Sequence, residues 1–252
     1  MKQVPNLFTL LNLVFGCLAI TAILQNGISI QYEADTAQFV DIPEKIWYAS
    51  LFIGLAAVVD FLDGFLARLM GASSELGKQL DSLADVVSFG VAPSMIIYQF
   101  LRLSYAHDAD GINVSAWLLV PAFLIAVAAA YRLGRFNLDQ LQQYGFKGVP
   151  VPAVGLLLAS FPLIYWFMPS EFAVSLLLNK WFLYGLTILL SWLMVSNLPM
   201  LALKFRNFSL KANLPQFILL VIAVLSAIML KWLAAPVIFA AYILLSLAFK
   251  KK

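Results

Sequence analysis

The chain has 252 residues, of which 63% are hydrophobic and only 12% are charged, and its mean hydropathy is +0.91. Since about 25% of the residues of a soluble domain are charged, this composition excludes an ordinary soluble protein. The formal net charge of +3 is modest, and we expect no nucleic-acid partner.

Apolar segments follow one another along the chain, and about 20 apolar residues are enough to cross a hydrocarbon core. In chain order we predict helices over residues 6–24, 46–70, 81–103, 114–133, 151–168, 181–203, 215–231 and 233–249. The last two segments are also compatible with one re-entrant hairpin. The predicted fold class is therefore all-α: a polytopic integral membrane helical bundle of eight helices, forming a single domain over residues 1–252.

The basic residues predict which side of the membrane each end of a helix occupies. With the N-terminus in the cytoplasm, twelve of the 16 basic residues fall on the cytoplasmic side and four on the other, an excess typical of cytoplasmic loops. The cytoplasmic set is Lys2, Arg68, Lys78, Arg132, Arg135, Lys147, Lys204, Arg206, Lys211, Lys250, Lys251 and Lys252. We therefore predict a multi-pass protein of the cytoplasmic membrane with both termini in the cytoplasm, where basic residues also meet anionic membrane lipids.

Four aspartates lie in or beside these apolar segments, where each carboxylate costs roughly 2.5–3.5 kcal/mol to insert. Asp60 and Asp63 are spaced i, i+3 near the end of the second predicted helix. Asp81 and Asp85 are spaced i, i+4 at the start of the third, so each pair shares one helix face. The connection between the two helices brings the pairs together, which predicts a pocket of four carboxylates near the cytoplasmic interface.

The residue types in this region favour metal-assisted phosphate chemistry. Oxygen ligands without sulfur or imidazole favour Mg²⁺, Mn²⁺ or Ca²⁺ over zinc. Four carboxylates suit two ions, and a pair of ions about 3.5–4 Å apart can clamp a phosphate group. Gly64 and Gly77 leave room for a ligand to approach the backbone. Arg68 offers a planar fork suited to phosphate, and Ser74 offers a hydroxyl.

The residues alone leave two alternative roles open for the acids. The carboxylates could form helix-packing ion pairs with Arg68 and Lys78, although two cations cannot neutralise four anions. They could instead form the conducting cluster of an ion or proton transporter. The transporter hypothesis accounts for buried carboxylates but not for the glycines and the arginine at their spacings.

The region also matches a known motif, D-x2-D-G-x2-A-R-x8-G-x3-D-x3-D, at every specified position. The matching residues are Asp60, Asp63, Gly64, Ala67, Arg68, Gly77, Asp81 and Asp85. On these residues the chain resembles the CDP-alcohol phosphotransferases. Four further segments resemble the phosphatidylserine-forming members of that family in bacteria and archaea, and they cover residues 5–12, 72–93, 131–137 and 148–152. The resemblance ends near residue 155.

The resemblance implies that the chain transfers the phosphatidyl group of CDP-diacylglycerol to an alcohol and releases CMP. It implies Mg²⁺ or Mn²⁺ as cofactor, with two divalent ions expected and Ca²⁺ as an alternative occupant. It gives Asp60, Asp63 and Asp81 the role of metal ligands. It gives Asp85 the roles of metal ligand and general base. It implies nucleotide and phosphate contacts for Asn6, Thr9, Gly64, Arg68, Ser74 and Gly77.

The acceptor alcohol implied by the resemblance is L-serine. Arg132 and Arg135, spaced i, i+3, could bind an amino-acid carboxylate, and they could equally be interface anchors whose charged heads reach water. Glycerol 3-phosphate and inositol are alternative acceptors, and an archaeal-type lipid is an alternative donor. We interpret Ser88 as a helix-packing residue because no activating base accompanies it.

The resemblance also bears on the organisation of the chain. It implies a catalytic core over about residues 1–205, followed by additional C-terminal helices over about 215–249. It implies a homodimer as well. The pocket is expected to open toward the cytoplasm, where serine is dissolved, while the acyl chains of the donor stay in the lipid.

Overall fold

The computed structural model describes residues 4–32, 38–71, 74–107, 114–138, 146–201 and 213–249. Its α-helices are α1 (Val4–Gln25), α2 (Trp47–Leu69), α3 (Glu75–Asp85), α4 (Ala92–Ala106), α5 (Ala116–Leu119), α6 (Leu124–Leu138), α7 (Val151–Phe167), α8 (Glu171–Leu177), α9 (Lys180–Val195), α10 (Leu214–Leu230) and α11 (Ala234–Ala248). Two short antiparallel strand pairs join β1 (Ser29–Tyr32) to β2 (Gln38–Asp41) and β3 (Phe146–Lys147) to β4 (Pro199–Met200). The predicted all-α membrane bundle is confirmed.

Single turns of other helix types join several of these helices. A π-helical turn over Val86–Val91 connects α3 to α4, so that Glu75–Ala106 is one continuous stretch. A 3₁₀ turn over Val120–Phe123 connects α5 to α6 in the same way. The 3₁₀ turn over Lys231–Leu233 is different because Lys231 has a φ of 48°, and α10 and α11 pack against each other on either side of it. The last two predicted helices therefore form a hairpin.

Within the described ranges, five helical stretches are long and apolar enough to cross a membrane, or six if α8 and α9 count as one bent span. The five are Pro5–Gln25, Glu44–Leu69, Glu75–Ala106, Ala116–Leu138 and Leu214–Ala248. The eight predicted helices are therefore helical segments and not eight separate candidate spans. The last two of them, α10 and α11, belong to a single one of these stretches. The 17-residue α7 is apolar but shorter than any of the five.

Two helix boundaries differ clearly from the prediction. The third helix begins at Glu75 instead of residue 81, because Ser74 caps it by accepting a hydrogen bond from the Gly77 amide at 3.0 Å. The sixth ends at Val195 instead of residue 203, close to Pro199, whose ring cannot continue a helix. The short α8 lies between two predicted helices and was not predicted, and it meets α9 at a bend of 69° where Asn179 caps the start of α9.

The stretch Glu75–Ala106 lies at the centre of the bundle, and 61% of its apolar 18-residue segment is buried. Its π-helical turn contacts α1, α6 and α7. Gly155 of α7 lies so close to this turn that a Cβ there would be 2.9 Å from the Cβ of Phe89, which is itself fully buried. This packing fixes the backbone that immediately follows Asp85.

Candidate active site

The ends of α2 and α3 bring three of the four aspartates together. One carboxylate oxygen from each of Asp60, Asp63 and Asp81 lies within 4.8 Å of the others. The connection between the two helices is only five residues long, Met70 to Ser74, because α3 begins earlier than predicted. Asp85 lies outside this group of three, one helical turn beyond Asp81, and only 6% of its surface is exposed.

The charges acting on these acids come mainly from one another. Asp81 and Asp63 are the charged groups that act most strongly on Asp60. Lys78 lies at the cavity between these helices, and Arg68 Nη1 lies 3.6 Å from the position that a Cβ on Gly64 would occupy. A divalent ion bound between carboxylates this close would offset their mutual repulsion.

Polar side chains on one face of α1 hold two of the acids. The Thr9 hydroxyl donates to Asp63 Oδ2 at 2.7 Å, and the Asn12 amide donates through Nδ2 to Asp85 Oδ1 at 3.2 Å. Asn6, Thr9 and Asn12 are each three residues apart, so they follow one helix face. Asn12 is missing from the site residues predicted from the sequence, although its spacing from Asn6 and Thr9 was the available signal.

A cavity of about 550 Å³ opens where the starts of α1 and α3 meet the end of α2. Seven of the predicted site residues line it, namely Asn6, Thr9, Asp63, Gly64, Ser74, Gly77 and Asp81. A Cβ on Gly77 would lie 2.8 Å from Asn6 Oδ1, so the Asn6 side chain packs directly against this glycine where α1 and α3 meet. The N-terminus of α3 lies at this cavity and favours an anionic group such as a phosphate.

The two predicted acceptor-binding arginines lie outside this cavity and have different partners. Arg132 donates to the Gly148 carbonyl at 3.5 Å, and Tyr242 of α11 and, more weakly, Asp85 are the groups that act electrostatically on it. Arg135 donates to the Val195 carbonyl at 3.3 Å and also to Asn197 Oδ1, so it binds the C-terminal end of α9 and the segment that follows. Of the pair, Arg132 is thus the one linked electrostatically to the aspartates.

The donor atoms of the acidic group fit a hard divalent cation. In the described part of the chain, the metal-binding atoms that converge there are carboxylate oxygens, the ligand type that Mg²⁺, Mn²⁺ and Ca²⁺ prefer. An ion that binds oxygen at about 2.0–2.6 Å can contact oxygens up to roughly 5 Å apart on its opposite sides. The separations of up to 4.8 Å are therefore compatible with one ion held jointly by Asp60, Asp63 and Asp81.

The chain is similar in sequence to known proteins over most of its length. The family model described as CDP-alcohol phosphatidyltransferase matches residues 2–195. A CDP-diacylglycerol–serine O-phosphatidyltransferase of Helicobacter pylori (strain J99) is 35% identical over 224 residues, covering 86% of this chain and 78% of that protein. Its counterpart in Bacillus subtilis is 32% identical over 165 residues, covering 66% and 78%. The protein of the same name in Methanocaldococcus jannaschii is 35% identical over 153 residues, covering 61% and 57%.

The acidic group predicts a metal-binding phenotype that needs no substrate. Replacing Asp63 by Asn should weaken Mn²⁺ binding by at least about tenfold, because it removes one of three charged ligands. Electron paramagnetic resonance titration of free Mn²⁺ with purified protein measures this directly. Glu75→Gln is the matched control, since Glu75 lines the same cavity but lies outside the group of three.

Equal loss in Glu75→Gln and Asp63→Asn would contradict the assignment, because it would indicate general attraction of cations to an acidic surface. Unchanged binding in Asp63→Asn would contradict it as well.

Proposed function

Because this chain belongs to the CDP-alcohol phosphatidyltransferase family, we propose that it makes phosphatidylserine. In the proposed reaction the phosphatidyl group of CDP-diacylglycerol is transferred to the hydroxyl of L-serine, and CMP is the second product. The observation that carries this proposal is the group of three carboxylates beside a cavity lined by the motif residues. The relatives named as serine transferases, at 32–35% identity, support serine as the acceptor.

The cavity offers the contacts that a nucleoside diphosphate needs. Gly64 and Gly77 let phosphate oxygens approach the backbone, and the N-terminus of α3 attracts their charge. The guanidinium of Arg68 lies beside Gly64, and it can donate two parallel hydrogen bonds to one phosphate. Asn6 and Ser74 add polar side chains at the rim of the cavity. The acyl chains of the donor would remain in the surrounding lipid.

Divalent metal ions are the cofactors that these acids fit, and we propose Mg²⁺ or Mn²⁺, with two ions held by Asp60, Asp63, Asp81 and Asp85. When bound, such ions would neutralise the diphosphate and the departing CMP. The group of three then supplies most of the ligands. Asp85 lies one turn away and keeps a carboxylate oxygen for proton transfer.

The reaction we propose is a single in-line displacement at the lipid-bearing phosphorus. Asp85 accepts the proton of the serine hydroxyl, and the serine oxygen forms a new bond to that phosphorus. The bond from the phosphorus to the oxygen bridging to CMP breaks, and CMP leaves with that oxygen. Holding both reactants in one cavity makes the attack effectively intramolecular. No protein nucleophile is required, and Ser88 instead donates a structural hydrogen bond to the Asn12 carbonyl.

We further propose that Arg132 contributes to binding the carboxylate of serine. Asp85 is among the groups that act electrostatically on Arg132, and the buried Nε of Arg132 has no hydrogen-bond partner among the described residues. Arg135 already donates to Val195 and Asn197, and we assign it a larger share in holding the end of α9.

The side of the membrane follows from the charge bias, which supports an active site facing the cytoplasm.

Purified protein with Mn²⁺, CDP-diacylglycerol and one alcohol at a time tests the reaction. We expect CMP release that depends on L-serine and falls by about 10²–10⁴-fold in Asp85→Asn, because the general base is lost. Glu171→Gln, an acid at the start of α8, is the control and should retain activity. Release only with glycerol 3-phosphate or inositol would change the acceptor. If no alcohol gives CMP release and the protein conducts cations in liposomes, the transporter hypothesis would replace the proposed enzyme activity.

The two arginines should separate in their effects on serine. Arg132→Gln should raise the KM for serine by roughly 10- to 100-fold, because a charge-assisted hydrogen bond to a carboxylate is lost. Arg135→Gln should change that KM less and lower thermal stability more, and steady-state kinetics with thermal unfolding in detergent measure both. An unchanged serine KM in Arg132→Gln would leave this arginine a structural residue only.

A further inference from the structure

We propose that Asn12 is a positioning residue, which orients the carboxylate of Asp85 for the proton transfer described above. The inference deepens the proposed function and rests on it for the role of Asp85. Asn12 is not part of the aspartate motif and lies 73 residues away from its partner in the chain. The two residues meet only because α1 packs against α3 and the π-helical turn.

The surroundings of Asn12 indicate that its amide is there for Asp85. The residue is fully buried, and Nδ2 donates to Asp85 Oδ1 at 3.2 Å. Its Oδ1 is buried and finds no hydrogen-bond partner within the described ranges, which is costly for a polar atom. A leucine, which has the same branched shape without polar atoms, would avoid that cost. The bond to Asp85 is therefore the interaction that accounts for an asparagine at this place.

The backbone of Asn12 is held independently of its side chain. Ser88 in the π-helical turn donates to the Asn12 carbonyl at 3.0 Å. One turn further along α1, a Cβ on Gly16 would lie 3.0 Å from the Ser88 Cα, so the two backbones approach closely. This close backbone approach does not depend on the Ser88 hydroxyl, so the Asn12 amide reaches Asp85 from a fixed position even without that bond.

This geometry divides the two oxygens of Asp85 between two tasks. Oδ1 accepts the hydrogen bond from the Asn12 amide, so Oδ2 is the oxygen that we assign to proton transfer. Thr9 makes a comparable bond to Asp63, but Asp63 belongs to the group of three acids. Loss of the Thr9 bond should therefore act on metal binding, whereas loss of the Asn12 bond should act on the rate of chemistry.

Asn12→Leu removes the amide and keeps the branched shape, and Asn12→Ala is a second variant that needs no space for a branched side chain. We expect either change to lower kcat by about 10- to 100-fold, because a hydrogen bond to a charged group is lost, while Mn²⁺ binding by the group of three acids and CDP-diacylglycerol binding are retained. Ser88→Ala is the matched control, since it removes the neighbouring bond between the same segments and leaves the Asn12 amide in place. Thr9→Val should instead weaken Mn²⁺ binding.

Infrared spectroscopy supplies a readout that needs no turnover. The carboxylate band that Asp85→Asn removes should shift in the Asn12 variants and stay in place in Ser88→Ala. An unshifted band, or an unchanged kcat in a folded Asn12 variant, would overturn the proposal. Absence of serine-dependent CMP release from the wild-type protein would instead refute the proposed function. In that case the infrared comparison still decides whether Asn12 orients Asp85.

Discussion

The mutual repulsion of buried carboxylates is the constraint on which the rest of the site depends. Asp60, Asp63 and Asp81 bring their charges within 4.8 Å of one another on helices that are otherwise largely apolar, and Asp85 lies one turn away. Each carboxylate costs roughly 2.5–3.5 kcal/mol to place in a membrane. The side chains of Thr9 and Asn12 donate hydrogen bonds to two of the acids but carry no positive charge. A divalent cation bound between these carboxylates would offset their repulsion, and this links the fold to the metal-dependent chemistry proposed above.

Close helix packing makes this concentration of charge possible. Gly16 of α1 and Gly155 of α7 let these two helices approach the π-helical turn of the central stretch more closely than a side chain would allow. As a result α1 presents its polar face to the acids, and the π-helical turn after Asp85 is enclosed on several sides. Such turns often accompany functional sites, since the extra residue redirects the helix. Here the turn fixes the backbone beside the proposed general base.

The aspartate pocket could be predicted from the sequence because the residues that form it are close together in the chain. The spacings of Asp60 with Asp63 and of Asp81 with Asp85 place each pair on one helix face, and a short connection must bring the pairs together. The start of α3 is set by the Ser74 cap, a local signal that hydrophobicity alone does not reveal. The bond from Asn12 to Asp85 arises from helix packing between segments that are distant in the chain. The separate partners of Arg132 and Arg135 depend in the same way on where other segments lie, such as the end of α9. Periodicity contains no such information.

The most direct measurement of metal binding by the acids is anomalous diffraction at the manganese edge from crystals grown with Mn²⁺ and CDP-diacylglycerol. We expect manganese peaks about 2.0–2.6 Å from carboxylate oxygens of Asp60, Asp63 and Asp81, beside the diphosphate of the bound lipid nucleotide. A nucleotide bound in the cavity with no manganese at these acids would contradict a metal-dependent site. Manganese at the acids with the nucleotide bound elsewhere would contradict it equally.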